Sequence, residues 1–210
     1  MLGEPADAST GAALSPSLKV LVEDPEGANL TVTYHGRPLA AASAPDFTLI
    51  GLPDTQYSSE TYPATFSAQT QWIADNAALR NIAYVAHHGD IVDNGDTGNE
   101  AQWLVAHQAM SILETVNLPD GIPFGLAVGN HDQSPLGDAA GTTAYYNQYF
   151  GESRFAGRAY YGGHYGDNND NHYELFSAGD LDFIVLSMEY DTAPDAPVLL
   201  ALSRLHEKKG

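Results

Sequence analysis

Between Asp46 and Asn130 the chain alternates short apolar runs with longer amphipathic ones, and this order constrains the fold more than any other feature. "APDFTLIGLPD", "NIAYVAHHGD" and "IPFGLAVGN" are apolar runs bounded by Gly, Pro, Asn and Asp, the pattern of buried strands. Between them, "YPATFSAQTQWIADNAALR" places Phe66, Trp72, Ile73 and Leu79 at helical spacing, with Pro63 near its start. "NEAQWLVAHQAMSILETV" predicts a second helix. Parallel strands need a long crossover, usually helical, so strand–helix–strand–helix–strand predicts an α/β fold with a parallel βαβαβ core.

The flanking segments read differently. Residues 1–16, rich in Ala, Gly, Ser and Pro, are expected to form a flexible lead-in. Residues 17–44 predict a β-hairpin: Leu18, Val20 and Val22 alternate, Leu30, Val32 and Tyr34 alternate, and Asp24, Pro25 and Gly27 supply the turn. Residues 45–210 form the main domain. Beyond the third strand, "TTAYYNQYFG" predicts a helix, "RAYYGGHYG" and "NHYELFSAGDLDFIVLSMEYD" predict antiparallel strands, and "APVLLALSRLHEKKG" predicts a last helix. The "GDNNDN" turn lacks EF-hand spacing and is read as a polar turn.

Composition narrows the functions. Of 210 residues, 27 are Asp or Glu and 8 are Lys or Arg, a net charge of −19. That charge argues against a nucleic-acid-binding surface and against docking on anionic lipid. With no cysteine, disulfides and thiolate metal sites are excluded. No apolar run is long enough for a membrane span. "MLGEPADASTGAALS" lacks the basic and apolar regions of a signal peptide, so the chain is either cytosolic or has lost its signal.

Each expected strand ends in polar residues. The first exits into Asp54 and Gln56, the second into Asp90, Asp93 and Asn94, the third into Asn130, His131 and Asp132. In an open parallel sheet, ligands bind beyond the carboxyl ends of the strands, so these clusters are expected to converge. Converging carboxylates repel one another, and a bound cation removes that cost. Oxygen donors suit hard or borderline divalent ions.

These clusters, "PDTQ", "GDIVDNG" and "GNHD" in this order, resemble the calcineurin-like metallophosphoesterases, in a bacterial secreted variant with Gln56 where most members have His. The resemblance implies a sandwich of two mixed sheets flanked by helices and a two-metal centre that hydrolyses phosphate mono- or diesters of small molecules with a metal-activated water. It gives Asp54 and Gln56 to the first metal, Asp90 to both and Asn130 to the second. His131 would assist the leaving group, Asp132 would orient His131, and Asp93 and Asn94 would support the site. The metal would be Mn, Zn, Fe or Ca, and the location extracellular or periplasmic. The family's later His and Gly-His-x-His ligands have no counterpart here, so the resemblance covers the first half of a catalytic domain. A C-terminally incomplete domain, at most one well-held metal, weak activity and a homo-oligomer are therefore expected. The N-terminal hairpin resembles the end of an immunoglobulin-like module. The alternative is a non-catalytic or weakly active secreted module that keeps the fold with an incomplete metal centre.

Other polar residues have plainer readings. His87 and His88 fall on opposite faces of a strand, with packing the default role. His164 is either a hairpin residue or a substrate contact, and His172 a strand residue. Tyr145, Tyr146, Tyr160 and Tyr161 are read as packing. Arg154 and Arg158 are candidates for a phosphate contact or for ion pairs.

Overall fold

The computed structural model describes residues 2–4, 19–20, 45–95 and 100–193. The chain divides into two units, Met1–Ser43 and Ala44–Gly210. In the first, β1 (Leu2–Glu4) pairs antiparallel with β2 (Lys19–Val20). A strand therefore lies inside the expected lead-in. Leu30, Val32 and Tyr34, the other arm of the expected hairpin, lie outside the described residues, as does the helix expected over residues 196–210.

The second unit opens with β3 (Thr48–Leu52), α1 (Gln56–Glu60), α2 (Pro63–Asn76), β4 (Ile82–His87), α3 (Glu100–Ser111) and β5 (Phe124–Leu126). The strands form one parallel sheet in the order β3-β4-β5, with Leu52, His87 and Leu126 in register at its carboxyl edge. This is the βαβαβ core that the alternation of apolar runs predicts. Then come α4 (Ala144–Phe150), α5 (Glu152–Phe155), β6 (Tyr161–His164), β7 (His172–Ala178) and β8 (Leu181–Ser187), the last three forming an antiparallel sheet. The β7–β8 hairpin turns on Gly179 and Asp180, with φ of 56° and 61°. Two successive left-handed residues suit the twist of a two-residue hairpin, which explains the "GD" there. Among the described strands each sheet is uniform, one parallel and one antiparallel, where mixed sheets were expected.

The sheets face each other through aromatic rings. Tyr84 of β4 stacks on Phe176 of β7 with centroids 4.8 Å apart, and Phe47 meets Phe183 edge-on at 5.5 Å. Val85 points to the opposite face from Tyr84 and joins a core with Phe66 and Ile73 of α2 and Trp103 and Met110 of α3. On α2 the buried stripe is Phe66, Thr70 and Ile73. Trp72 and Leu79, expected to share it, are 48% and 84% exposed. One residue is 100° of helix, so Trp72 is turned away from Ile73 and instead lies under the Arg80 guanidinium at 5.2 Å. Leu79 falls beyond the helix end at Asn76.

Candidate active site

The three strand exits come together at the carboxyl edge of the parallel sheet, around Asp90. The Thr55 N–H donates to the Asp90 carbonyl at 3.0 Å, and the His131 N–H donates to Asp90 Oδ1 at 3.0 Å. One residue thus receives bonds from the loop after β3 and the loop after β5. Its backbone is held in the left-handed region, φ 50°, just after Gly89 at φ 88°. A side chain rarely tolerates that conformation, and such strain is commonly found where geometry serves a site. Gly129 is required opposite: a Cβ there would collide with the Asp90 backbone nitrogen and carboxylate.

Asp54 is exposed, and its Oδ1 accepts the Gln56 N–H at 2.8 Å, which tightens the turn into α1. Gln56 is buried, and its Oε1 has no hydrogen-bond partner. A buried amide oxygen without a donor costs free energy unless something fills the role. Asn130 is half-buried, and its carbonyl accepts the Gly137 N–H at 2.9 Å, while its side chain makes no hydrogen bond among the described residues. Beneath them, His87 is buried, and loss of solvation, reinforced by His88, pushes its imidazole down to about 3. The Gly89 N–H donates to its Nδ1 at 3.2 Å, so the ring proton sits on Nε2 and donates to Thr55 Oγ1 at 2.9 Å. Thr55 passes a bond on to the Ile91 carbonyl at 3.2 Å. His87 is a neutral brace between two of the loops.

His131 and Asp132 are placed differently from expectation. Asp132 does not orient the His131 ring. It is fully buried, its Oδ1 accepts the Ile91 and Val92 N–H groups at 2.8 and 3.1 Å, and its Oδ2 accepts the Gly129 N–H at 2.8 Å. Burial pushes its carboxyl up to about 8 against the downward pull of those donors. Consecutive residues in the tight turn Asn130–Asp132 point apart, so Asp132 enters the interior while His131 stays half-exposed. The ring is held instead by Asp93: His131 Nδ1 donates to the Asp93 carbonyl at 2.9 Å, with the Asp93 carboxylate 3.5 Å away. That leaves His131 Nε2 as the ring atom without a protein partner among the described residues.

The loop carrying Asp93 is fastened by residues that sequence reasoning missed. Gln102 Oε1, from α3, accepts the N–H groups of Asp93 and Asn94 at 2.8 and 3.1 Å, and Trp103 Nε1 donates to the Gly95 carbonyl at 2.8 Å. Asn94 Nδ2 donates to Asp93 Oδ2 at 2.9 Å. Gln102 sits among apolar residues in the helix, and a lone polar residue on a buried helix face was the available signal. A cleft of about 190 Å³ opens beside His131, lined by Asp93, Asn94, Gly95, Gln133 and Leu136.

Other candidates fall elsewhere. His164 Nδ1 bonds the Tyr161 hydroxyl at 2.9 Å and its Nε2 lies 3.9 Å from Glu152, neither of them a strand-exit residue. Arg154 and Arg158 both pair with Glu114, at 2.9 and 2.7 Å, and stack over Phe124. They make structural ion pairs, not a phosphate contact. Asp170 of the "GDNNDN" turn takes donors from Thr143, Asn147 and Asn168, which satisfies its carboxylate within the protein.

Among the described residues, Asp54 Oδ2, Asp90 Oδ2, Gln56 Oε1 and the Asn130 amide oxygen accept no hydrogen bond. An all-oxygen set containing one buried orphan fits a hard divalent cation. It is short of charge: among the described residues no group of three or more His, Cys, Asp or Glu is arranged to hold a metal ion.

Comparison with known proteins identifies the class to which this parallel sheet with acid–amide exits belongs. The chain belongs to the calcineurin-like phosphoesterase family, whose profile matches residues 47–203. It is also similar to the uncharacterized protein YvnB of Bacillus subtilis, 43% identical over 142 residues. That match covers 68% of this chain and 10% of YvnB, so the chain spans about a tenth of the relative's length. No solved structure matches the chain. The family acts on phosphoesters and generally uses divalent metal ions. No helix among the described residues is long and apolar enough to cross a membrane.

Proposed function

We propose that this site hydrolyses small phosphate mono- or diesters, with Asp54, Gln56, Asp90 and Asn130 as the residues that hold divalent metal. The observation that carries the reading is the pair of hydrogen bonds onto Asp90, from Thr55 to its backbone carbonyl and from His131 to its carboxylate, which gathers the three strand exits around one residue. When bound, the metal would polarise a phosphoryl oxygen and make water nucleophilic at neutral pH. The chain's own contribution is placement. Asp90 lies between the other two exits, where it can be shared. Gln56 offers an oxygen that has no other partner. His131, with its proton fixed on Nδ1 by the Asp93 carbonyl, presents Nε2 to the cleft at its side. A proton taken up at Nε2 can be returned to the leaving oxygen. Asp132, Gln102 and His87 hold the loops and do not meet substrate.

The test is turnover of p-nitrophenyl phosphate and bis-p-nitrophenyl phosphate by EDTA-stripped protein, with and without added Mn²⁺. Metal-dependent turnover that disappears in Asp90→Ala is the expected result. The second reading, a weakly active or non-catalytic module, is favoured by the donor set, in which two of the four candidate ligands are neutral amides. Metal analysis beside the turnover assay decides between them: stoichiometric metal with little or no turnover of either ester would support the module, and strong metal-dependent turnover would remove it.

A further inference from the structure

The cleft beside His131 has a wall whose backbone donors are already used. The N–H groups of Asp93 and Asn94 donate to Gln102 Oε1, and the Gly95 N–H donates to the His131 carbonyl at 2.9 Å. The described residues that line the cleft include no Lys or Arg, and Asp93 brings a carboxylate to it. Such a wall has no backbone N–H left for a second phosphate or a carboxylate on the substrate, and the Asp93 charge repels both.

The remaining contribution is apolar. Leu136 lines the same cleft as His131 and is 63% exposed. An exposed leucine alone means little, but this one is held where it stands. The Asp138 N–H donates to the Pro135 carbonyl at 3.1 Å, closing a turn with Leu136 and Gly137 at its centre. Gly137 has a φ of 69°, the left-handed third position that such a turn gives to glycine. Ser134 and Thr142 exchange two backbone bonds at the base of the loop, at 3.0 and 2.8 Å. The Gly137 N–H donates to the Asn130 carbonyl at 2.9 Å, which fastens the turn to the residue before His131. The loop therefore presents an apolar side chain to water at a fixed place beside the site, and a ligand that covers it gains the burial.

We propose that Leu136 is a specificity-determining residue, and that it selects phosphoesters whose leaving group is a small, uncharged aryl or alkyl alcohol. This rests on the reading of the strand exits as a phosphoesterase site. His131, the group assigned to the leaving oxygen, shares the cleft with Leu136, so the group attached to that oxygen is the part of the substrate that meets the leucine. Size limits the choice. The cleft holds about 190 Å³, below the roughly 300 Å³ at which sites for drug-sized ligands begin. One ring or a short chain fits that space, and a nucleoside or a chain of sugars does not.

The experiment compares wild type, Leu136→Ser and Leu136→Met with Mn²⁺ present. Leu136 is mostly exposed, so both variants are expected to keep the wild-type melting temperature. The ratio of kcat/KM for phenyl phosphate to kcat/KM for glycerol phosphate is expected to fall about tenfold in Leu136→Ser, through KM, and to recover in Leu136→Met. Taking the ratio cancels any change common to both esters. An unchanged ratio in Leu136→Ser overturns the proposal, and so does a wild-type preference for choline phosphate over phenyl phosphate, which would give the recognition to Asp93. Binding supplies a readout that needs no turnover. In titration calorimetry, wild type is expected to hold phenylphosphonate about tenfold more tightly than methylphosphonate, and Leu136→Ser to hold the two alike. That preference without turnover of any ester would sink the hydrolytic reading and keep the apolar subsite. Turnover with equal affinity for the two phosphonates would do the reverse, and binding of neither phosphonate overturns the subsite whatever the turnover.

Discussion

His131 and Asp132 are neighbours with opposite duties, and single substitutions separate them. His131 presents Nε2 beside a cleft and holds no other element in place with that atom. His131→Ala is expected to lower phosphoester turnover by about 10²–10⁴-fold, the usual worth of general acid–base help, with metal content retained. Equal loss of metal and turnover would make it a ligand. Asp132 accepts three backbone N–H groups in the interior. Asp132→Ala leaves all three without an acceptor, at about 1–3 kcal/mol each, so unfolding free energy should drop by several kcal/mol. Asp132→Asn can keep the oxygen that serves Ile91 and Val92 and lose only the Gly129 bond, at about 1–3 kcal/mol. Urea denaturation of both variants checks this; equal losses would mean that the clasp is not the carboxylate's role. His87 gives a pH signature. Its folded value of about 3 lies below the ordinary 6.5, so below pH 6.5 the unfolded chain binds a proton that the folded one refuses. Stability is therefore expected to fall by about 1.4 kcal/mol per unit as pH drops from 6.5 towards 4.5. That slope should be missing from His87→Gln.

At the scale of elements, α3 is the strut of the catalytic loop. Gln102 and Trp103 hold the backbone of Asp93, Asn94 and Gly95, and Asp93 in turn holds the His131 ring. Gln102→Ala should cost about 1–3 kcal/mol for each of the two orphaned N–H groups that water does not reach. It should also depress turnover more than metal content, because the N–H groups it orphans belong to Asp93 and Asn94, which hold the His131 ring, and not to Asp90. Comparison of turnover with bound metal in the same preparation tests that split. The parallel core of β3, α2, β4, α3 and β5 was legible from periodicity, and so was the common edge of its strand exits, because a parallel βαβ order puts successive exits on one side. What could not be read was which neighbour each side chain meets across the gap between loops. Asp132 beside His131 looked like its orienter, yet adjacency in a tight turn points side chains apart, and the partner lies 38 residues away at Asp93. Gln102 escaped notice because its partners are backbone groups, which carry no residue signature.

For the whole molecule, the proposed metal is a tie between three chain segments that otherwise meet only through a few hydrogen bonds. Asp54 and Asp90 bring two carboxylates to one edge of a chain whose net charge is already −19. Without a cation their repulsion works against the convergence, and with one it reverses sign. A ligand that binds only the folded state stabilises it by about 2.7 kcal/mol at a hundred times its Kd. The melting temperature of EDTA-stripped protein should therefore rise as Mn²⁺ is added, and fall back when EDTA is returned. The variants sort the ligands from the rest. Asp90→Ala should abolish the rise, since it removes the carboxylate that lies between the other two exits. Asp54→Ala should weaken it, and His131→Ala should leave it unchanged. This measurement needs no turnover, so it separates a metal centre that binds without catalysing from one that does not form. An equal rise in wild type and Asp90→Ala would place the cation somewhere on the acidic surface instead, and the reading of the strand exits as ligands would fall with it.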